Sequence, residues 1–264
     1  MGGTEQFRDR VVLLVGAATG MGRATADAFA GVGATVVMGD VNPAIDAAWD
    51  EVQAAAPGTK GFATRIDVTD LDSCRAAVER TVSEFGRIDV LANFAGVIQE
   101  AHDVESLPVE EWDRVIGINL RGHFLMAKAA VGQFKAQRSG RIVLITSIWS
   151  HEGFDLFSAY CASKGGLKLF TQSLAKEMIP YGVNVNAIAP GIINTELHQK
   201  ALRDEATARG WSYDDVREKE WGKIPTKQAG SPEDVANGVL YLSSDEASYV
   251  VAATLDINGA ILIR

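Results

Sequence analysis

Positive charge, cysteine and long apolar runs are all in short supply in this chain, and each shortage closes off a class of function. Lys and Arg number 25 against 34 Asp and Glu, leaving a net charge of −9. Phosphate-backbone binding rests on clustered cations, so no nucleic-acid partner is expected. The two cysteines, Cys74 and Cys161, are far apart and lack metal-ligand spacing, which excludes a disulfide framework and a zinc site. No metal is expected. No apolar stretch approaches the length of a membrane span, and residues 1–10 carry Glu5 and Asp9 with no greasy run, unlike a secretory leader. Gly2 follows Met1, but Gln6 stands where a myristoylation signal needs Ser or Thr. The expectation is a cytoplasmic protein with no membrane attachment, free of linkers, repeats and low-complexity segments.

What is present suits one large core: 264 residues, of which 47% are hydrophobic and 22% charged. Short β-rich runs at residues 11–15, 34–38, 61–66, 88–92, 141–146, 183–189 and 254–257 alternate with helical patterns at 20–29, 71–85, 110–137, 157–178 and 232–243. Continuous apolar strands separated by crossover-length helices predict an α/β protein, a doubly wound parallel sheet of seven strands with helices on both faces, folded as a single domain over residues 1–264. Residues 192–228 break the alternation with charged and aromatic residues, and such an excursion reads as a substrate-binding loop or lid.

Glycines cluster where the first strand meets the first helix, in Gly16, Ala17, Ala18, Thr19, Gly20, Met21, Gly22. Such a turn lets backbone N–H groups approach a pyrophosphate and adds the partial positive charge of a helix N-terminus, although tight strand–helix packing alone also calls for glycine. Asp40 ends the second strand, the place where a Rossmann unit sets an acid against the adenosine ribose. Its carboxylate would accept from ribose hydroxyls and repel a 2′-phosphate, and Ala17, Ala18 and Thr19 offer no cation to hold one, so NAD is favoured over NADP. A turn role before Asn42 and Pro43 fits Asp40 as well. In the fourth helical pattern, Tyr160 and Lys164 fall on one face at i and i+4, a phenol beside an ammonium. A nearby cation favours the phenolate, yet this spacing also describes an ordinary solvated face.

Taken together, these separated motifs resemble the short-chain dehydrogenase/reductase family over nearly the whole chain. They are the Gly16–Gly22 turn, Asp67 and Val68 after the third strand, Asn93, Phe94, Ala95 and Gly96 after the fourth, Asn119 within a helix, Ser147, Tyr160 and Lys164, and Pro190 and Gly191 after the sixth. Val15 stands where the family usually has Thr, and Phe94 where it usually has Asn; each removes an internal polar brace. The resemblance implies a Rossmann-fold oxidoreductase interconverting a secondary alcohol and a ketone with NAD. By that resemblance Tyr160 exchanges the substrate proton, Lys164 lowers the phenol pKa and holds the nicotinamide ribose, Ser147 orients the reacting oxygen, and Asn119 links Lys164 to solvent through a water. It also implies that Gly16, Thr19, Gly20, Met21, Gly22, Asp40, Asp67, Val68, Asn93, Ala95, Gly96, Pro190, Gly191, Ile193 and Thr195 contact the cofactor. A homo-oligomer follows from the same likeness, a dimer or tetramer built on the helices from Glu110 onward and at Tyr160.

The substrate pocket is expected at Gln99, Ser147, Trp149, His151, Phe154, Phe157 and Asn194, with His198, Trp211 and Trp221 from the excursion. Gln99, His151, Asn194 and His198 can grip hydroxyls, which favours a sugar or polyol; the aromatic residues suit a bulky cyclic alcohol. A nucleotide sensor without turnover is the rival from another class, and the intact set of Asn119, Ser147, Tyr160 and Lys164 speaks against it.

Overall fold

The structure is a computed structural model and describes residues 5–263; the Gly2 motif read above lies outside the described residues. Seven strands, β1 (Val11–Val15), β2 (Thr35–Asp40), β3 (Gly61–Arg65), β4 (Val90–Asn93), β5 (Gly140–Ile145), β6 (Val183–Pro190) and β7 (Thr254–Ile257), form one sheet in the order β3-β2-β1-β4-β5-β6-β7. All six pairings are parallel. The inner strands such as β1 and β4 are buried on both faces, which is why they read as apolar runs rather than alternating ones, while the edge strands β3 and β7 are only partly buried.

Successive residues of each strand serve opposite cores. Val12, Leu14, Val36, Met38, Val143 and Ile145 face one core, completed by α1 (Gly20–Gly31), α2 (Ile45–Ala55) and α9 (Pro232–Ser243) through Phe29, Trp49 and Val239. Leu13, Val15, Val37, Leu91, Ile142 and Leu144 face the other, completed by α3 (Leu71–Phe85), α5 (His123–Gln137) and α6 (Ser158–Met178) through Val78, Phe134 and Leu167. Burying large apolar side chains at about 25 cal/mol per Å² on both faces is the main drive for this layering.

Two elements depart from the pattern read in the sequence. Residues 45–55 form α2, hidden behind the turn chemistry of Asn42 and Pro43; the Asn42 side chain accepts the Ala44 N–H at 3.0 Å. The single helix expected over 110–137 is three pieces: α4 (Val109–Ile116), a π-helical turn at Gly117–Gly122, and α5. Such widened turns inside helices recur at functional sites.

The chain runs outward from β1 to β3, then returns to place β4 on the opposite side of β1. This reversal opens a crevice at the carboxyl ends of β1 and β4, where ligands bind in doubly wound sheets. Residues 192–228 carry two helices, α7 (Glu196–Arg209) and α8 (Tyr213–Trp221), packed on each other through Leu202, Ala206 and Val216. The base of this hairpin is pinned beside the sheet: the Asn194 N–H donates to the Gly230 carbonyl at 2.8 Å and the Gly230 N–H to that of Ile192 at 3.0 Å. No helix among the described residues is long and apolar enough to cross a membrane.

Candidate active site

The glycine turn is shaped by close approach. A Cβ on Gly22 would lie 2.1 Å from the Gly16 carbonyl oxygen, and one on Gly16 would lie 2.7 Å from the Ala95 nitrogen, at a φ of +77°. Only glycine lets β1, α1 and the segment after β4 meet this tightly. Thr19 sits at the N-cap of α1 without a side-chain capping bond, so its hydroxyl leaves the first-turn N–H groups to an incoming acceptor. Asp40 fills the turn role before Asn42 and Pro43. Its carboxylate accepts the Ala18 N–H at 3.0 Å and the Asn42 N–H at 2.9 Å, tying the glycine turn to the end of β2.

The rest of the groove follows the strand ends. Asn93 is fully buried; its Oδ1 accepts the Ala95 N–H at 3.0 Å, while its Nδ2 has no protein partner. An unpaired buried donor is costly, and here it lies one residue from the Gly16 contact. Asp67 is turned to its own loop: Thr69 donates from N–H and hydroxyl, holding the carboxyl below its usual range. Val68 packs against Gly122. Gly191, after Pro190, donates its N–H to Ile257 at 2.9 Å, and Ile193 is buried. Thr195 caps α7, and its methyl lies 3.4 Å from where a Gly20 Cβ would be, so the hairpin root closes over the glycine turn. Met21 packs on the neighbouring core. Glycine cradle, unsatisfied helix N-terminus and orphaned Asn93 amide all fit a dinucleotide.

Across the crevice, Ser147, Tyr160 and Lys164 come together. Ser147 follows β5, and its hydroxyl both accepts the Trp149 N–H at 3.2 Å and shares a hydrogen bond with Tyr160. Lys164 is 4% exposed and donates from Nζ to the Ile145 carbonyl at 2.9 Å, with Nζ 5.7 Å from the Tyr160 ring centroid. Burial pushes the phenol up to about 12 against the opposing Ser147 bond, and pushes the ammonium down to about 8. The lowering of the phenol expected from Lys164 together with an oxidised nicotinamide concerns the loaded site; in the protein alone, burial sets the phenol, and Lys164 is turned toward Ile145.

Asn119 lies in the π turn. Its Nδ2 donates to the Val97 carbonyl at 2.8 Å and to Ser163 Oγ at 3.3 Å, and its Oδ1 accepts the Val97 N–H at 2.8 Å. The amide thus binds α6 to the segment after β4. Gly96 lies between it and Lys164, since a Cβ there would be 3.4 Å from Asn119 Oδ1 and 3.5 Å from Lys164 Nζ. Next to it the sequence reading missed His123, fully buried, whose Nε2 donates to the Ala95 carbonyl at 2.9 Å. Burial and the Lys164 charge push this imidazole down to about 3, so it is neutral. Its i and i+4 relation to Asn119 was the available signal.

The substrate residues divide. Trp149 stacks on Phe154 at 4.4 Å, lies 5.1 Å from Phe157 and meets Tyr160 edge-on at 5.7 Å, forming an aromatic wall beside the phenol. The polar candidates bond to protein neighbours instead. Gln99 is buried and bonded to backbone on both sides of its amide. Both His151 ring nitrogens are engaged, Nε2 with Asp256 at 3.0 Å and Nδ1 with Lys168 at 2.8 Å, which makes it neither the clamp nor the solvated loop residue expected. Asn194 accepts from Gln199 at 3.1 Å, and His198 accepts the Trp221 indole N–H at 3.2 Å. Trp211 is half-exposed under Arg209 and Lys219.

A family model described as enoyl-(acyl carrier protein) reductase matches residues 16–260. The chain is 36% identical over 263 residues to the 3-oxoacyl-(acyl carrier protein) reductase of Thermotoga maritima, covering 98% of this chain and 100% of that one. It is 38% identical over 255 residues to the cis-4-hydroxycyclohexanecarboxylate dehydrogenase of Sinomonas cyclohexanicum, covering 97% of each. A crystal structure of NAD⁺-bound xylitol dehydrogenase superposes with a TM-score of 0.90 at 29% identity, covering 97% of this chain and 100% of that one.

Burial of Tyr160 sets its expected titration. With 13Cζ-labelled tyrosine, the resonance lost in Tyr160→Phe should keep the shift of a neutral phenol at about pH 10. A phenolate shift at that pH would contradict it.

Proposed function

The chain belongs to the short-chain dehydrogenase/reductase family, and on that premise we propose that it is an NAD-dependent oxidoreductase interconverting a cyclic secondary alcohol and its ketone. The observation that carries this reading is Tyr160 hydrogen-bonded to Ser147 beneath the Trp149–Phe154–Phe157 wall. Tyr160, with its proton in place, is the acid that protonates a ketone oxygen; the phenolate takes the same proton back from an alcohol. Ser147 holds that oxygen and stabilises charge developing on it. Lys164 adds a positive charge below the phenol ring, favouring the phenolate when oxidation runs. When bound, the nicotinamide supplies the hydride acceptor or donor for the substrate carbon. Gly16, Gly20 and Gly22 with the α1 N-terminus would cradle its pyrophosphate, Asp40 the adenosine ribose, and Asn93 the groove beside it.

NAD is proposed over NADP because Asp40 puts a carboxylate at the end of β2. A 2′-phosphate would meet like charge there. The ring preference rests on the aromatic wall and on the inward bonding of Gln99 and His151, two of the groups that favoured a polyol. The cyclohexane relative fits this reading; the xylitol relative keeps an open-chain polyol as the second one. The α7–α8 hairpin, rooted where Thr195 approaches Gly20, is proposed as the lid. Exposed Phe124 and Leu169 on α5 and α6 support a homo-oligomer.

Tyr160→Phe keeps the ring and removes only the hydroxyl, so kcat should fall about 10²- to 10⁴-fold with NADH binding retained. Full turnover in that variant would remove Tyr160 from proton transfer. Asp40→Ala should lower the NAD-to-NADP ratio of kcat/KM by about tenfold or more, a comparison insensitive to general loosening of the turn. An unchanged ratio would overturn the cofactor reading.

A further inference from the structure

The first turn of α6 has no cap of its own. Phe157 precedes it without a side-chain capping bond, so the early N–H groups need acceptors from elsewhere. Gln99, distant in sequence and 2% exposed, provides them. Its Oε1 accepts the Ala159 N–H at 2.8 Å and the N–H of Tyr160 itself at 3.2 Å. Its Nε2 donates to the Leu156 carbonyl at 2.8 Å.

Leu156 is a non-glycine residue at φ 66°, a conformation that persists only where surroundings over-determine it. The same carbonyl also receives the His102 N–H at 3.1 Å. This turn connects Phe154 to Phe157, and the Cys161 sulfur fixes its other end by accepting the Phe154 N–H at 3.3 Å. One buried amide therefore touches the backbone of Tyr160 with its oxygen and the turn bearing two walls of the aromatic cluster with its nitrogen.

We propose that Gln99 is a positioning residue that fixes Tyr160 against Ser147 and sets the shape of the aromatic wall, so that proton transfer and ring selection depend on a single side chain that never meets the substrate. The inference rests on Tyr160 being the proton-transfer group. Displacing such a group by about 1 Å can cost on the order of 10²-fold in rate.

Gln99→Met fills the space and removes all three bonds; Gln99→Glu keeps an acceptor for the two helix amides at a helix N-terminus, where a carboxylate is favoured. In Gln99→Met the Ala159 and Tyr160 amides should exchange with solvent about tenfold faster or more, while that of Leu167, farther along α6, is unchanged. Its kcat should fall at least about tenfold with the NADH Kd within about twofold. Gln99→Glu should regain the amide protection and part of the turnover. Unaltered exchange at Ala159 and Tyr160, or a wild-type kcat in Gln99→Met, would overturn the positioning role. A wild-type protein inert toward every alcohol offered would instead overturn the oxidoreductase reading, with the exchange measurement still deciding whether Gln99 holds Tyr160.

Discussion

The hydrogen bond from Lys164 to the Ile145 carbonyl anchors the site, because a buried ammonium is tolerated only where it is paired. It joins α6 to the end of β5, and the two groups of the reaction hang from those elements, Tyr160 one turn earlier on α6 and Ser147 just past β5. The same burial that makes the bond necessary pushes the ammonium down to about 8 and the phenol up to about 12. Position and proton affinity thus share one cause. Asn119 completes the frame from the π turn at Gly117–Gly122 by holding Val97 and Ser163.

A second theme is the inward use of polar side chains around the crevice. Gln99, His151, Asn194 and His198 are types that bind sugar hydroxyls when they are free. Here Gln99 and His151 are committed to protein partners and Asn194 and His198 each spend one polar atom on a neighbour, while Trp149, Phe154 and Phe157 are left to line the approach to Tyr160. Buried polar groups in a low-dielectric site bond to whatever is preorganised near them, so a residue type alone says little about its partner.

The sheet was legible in the sequence because parallel strands buried on both faces must be continuously apolar, as in Val11–Val15. The Gly16–Gly22 turn, Asp40 and the Tyr160–Lys164 pair were legible because their spacing is set by local geometry: a tight turn, a strand end, one face of a helix. Long-range relations were hidden. Nothing local ties Gln99 to Tyr160, His151 to Asp256 or His198 to Trp221, since those contacts exist only once the crossovers have closed. The π turn was announced only by an amide in mid-helix, and α2 was masked by Asn42 and Pro43.

NADH formation from substituted cyclohexanols and from open-chain polyols, measured side by side, tests the proposed activity most directly. With the aromatic wall beside Tyr160, kcat/KM for the ring alcohols is expected to exceed that for the polyols by about tenfold or more. A polyol preference, or no NADH from either class, would contradict it.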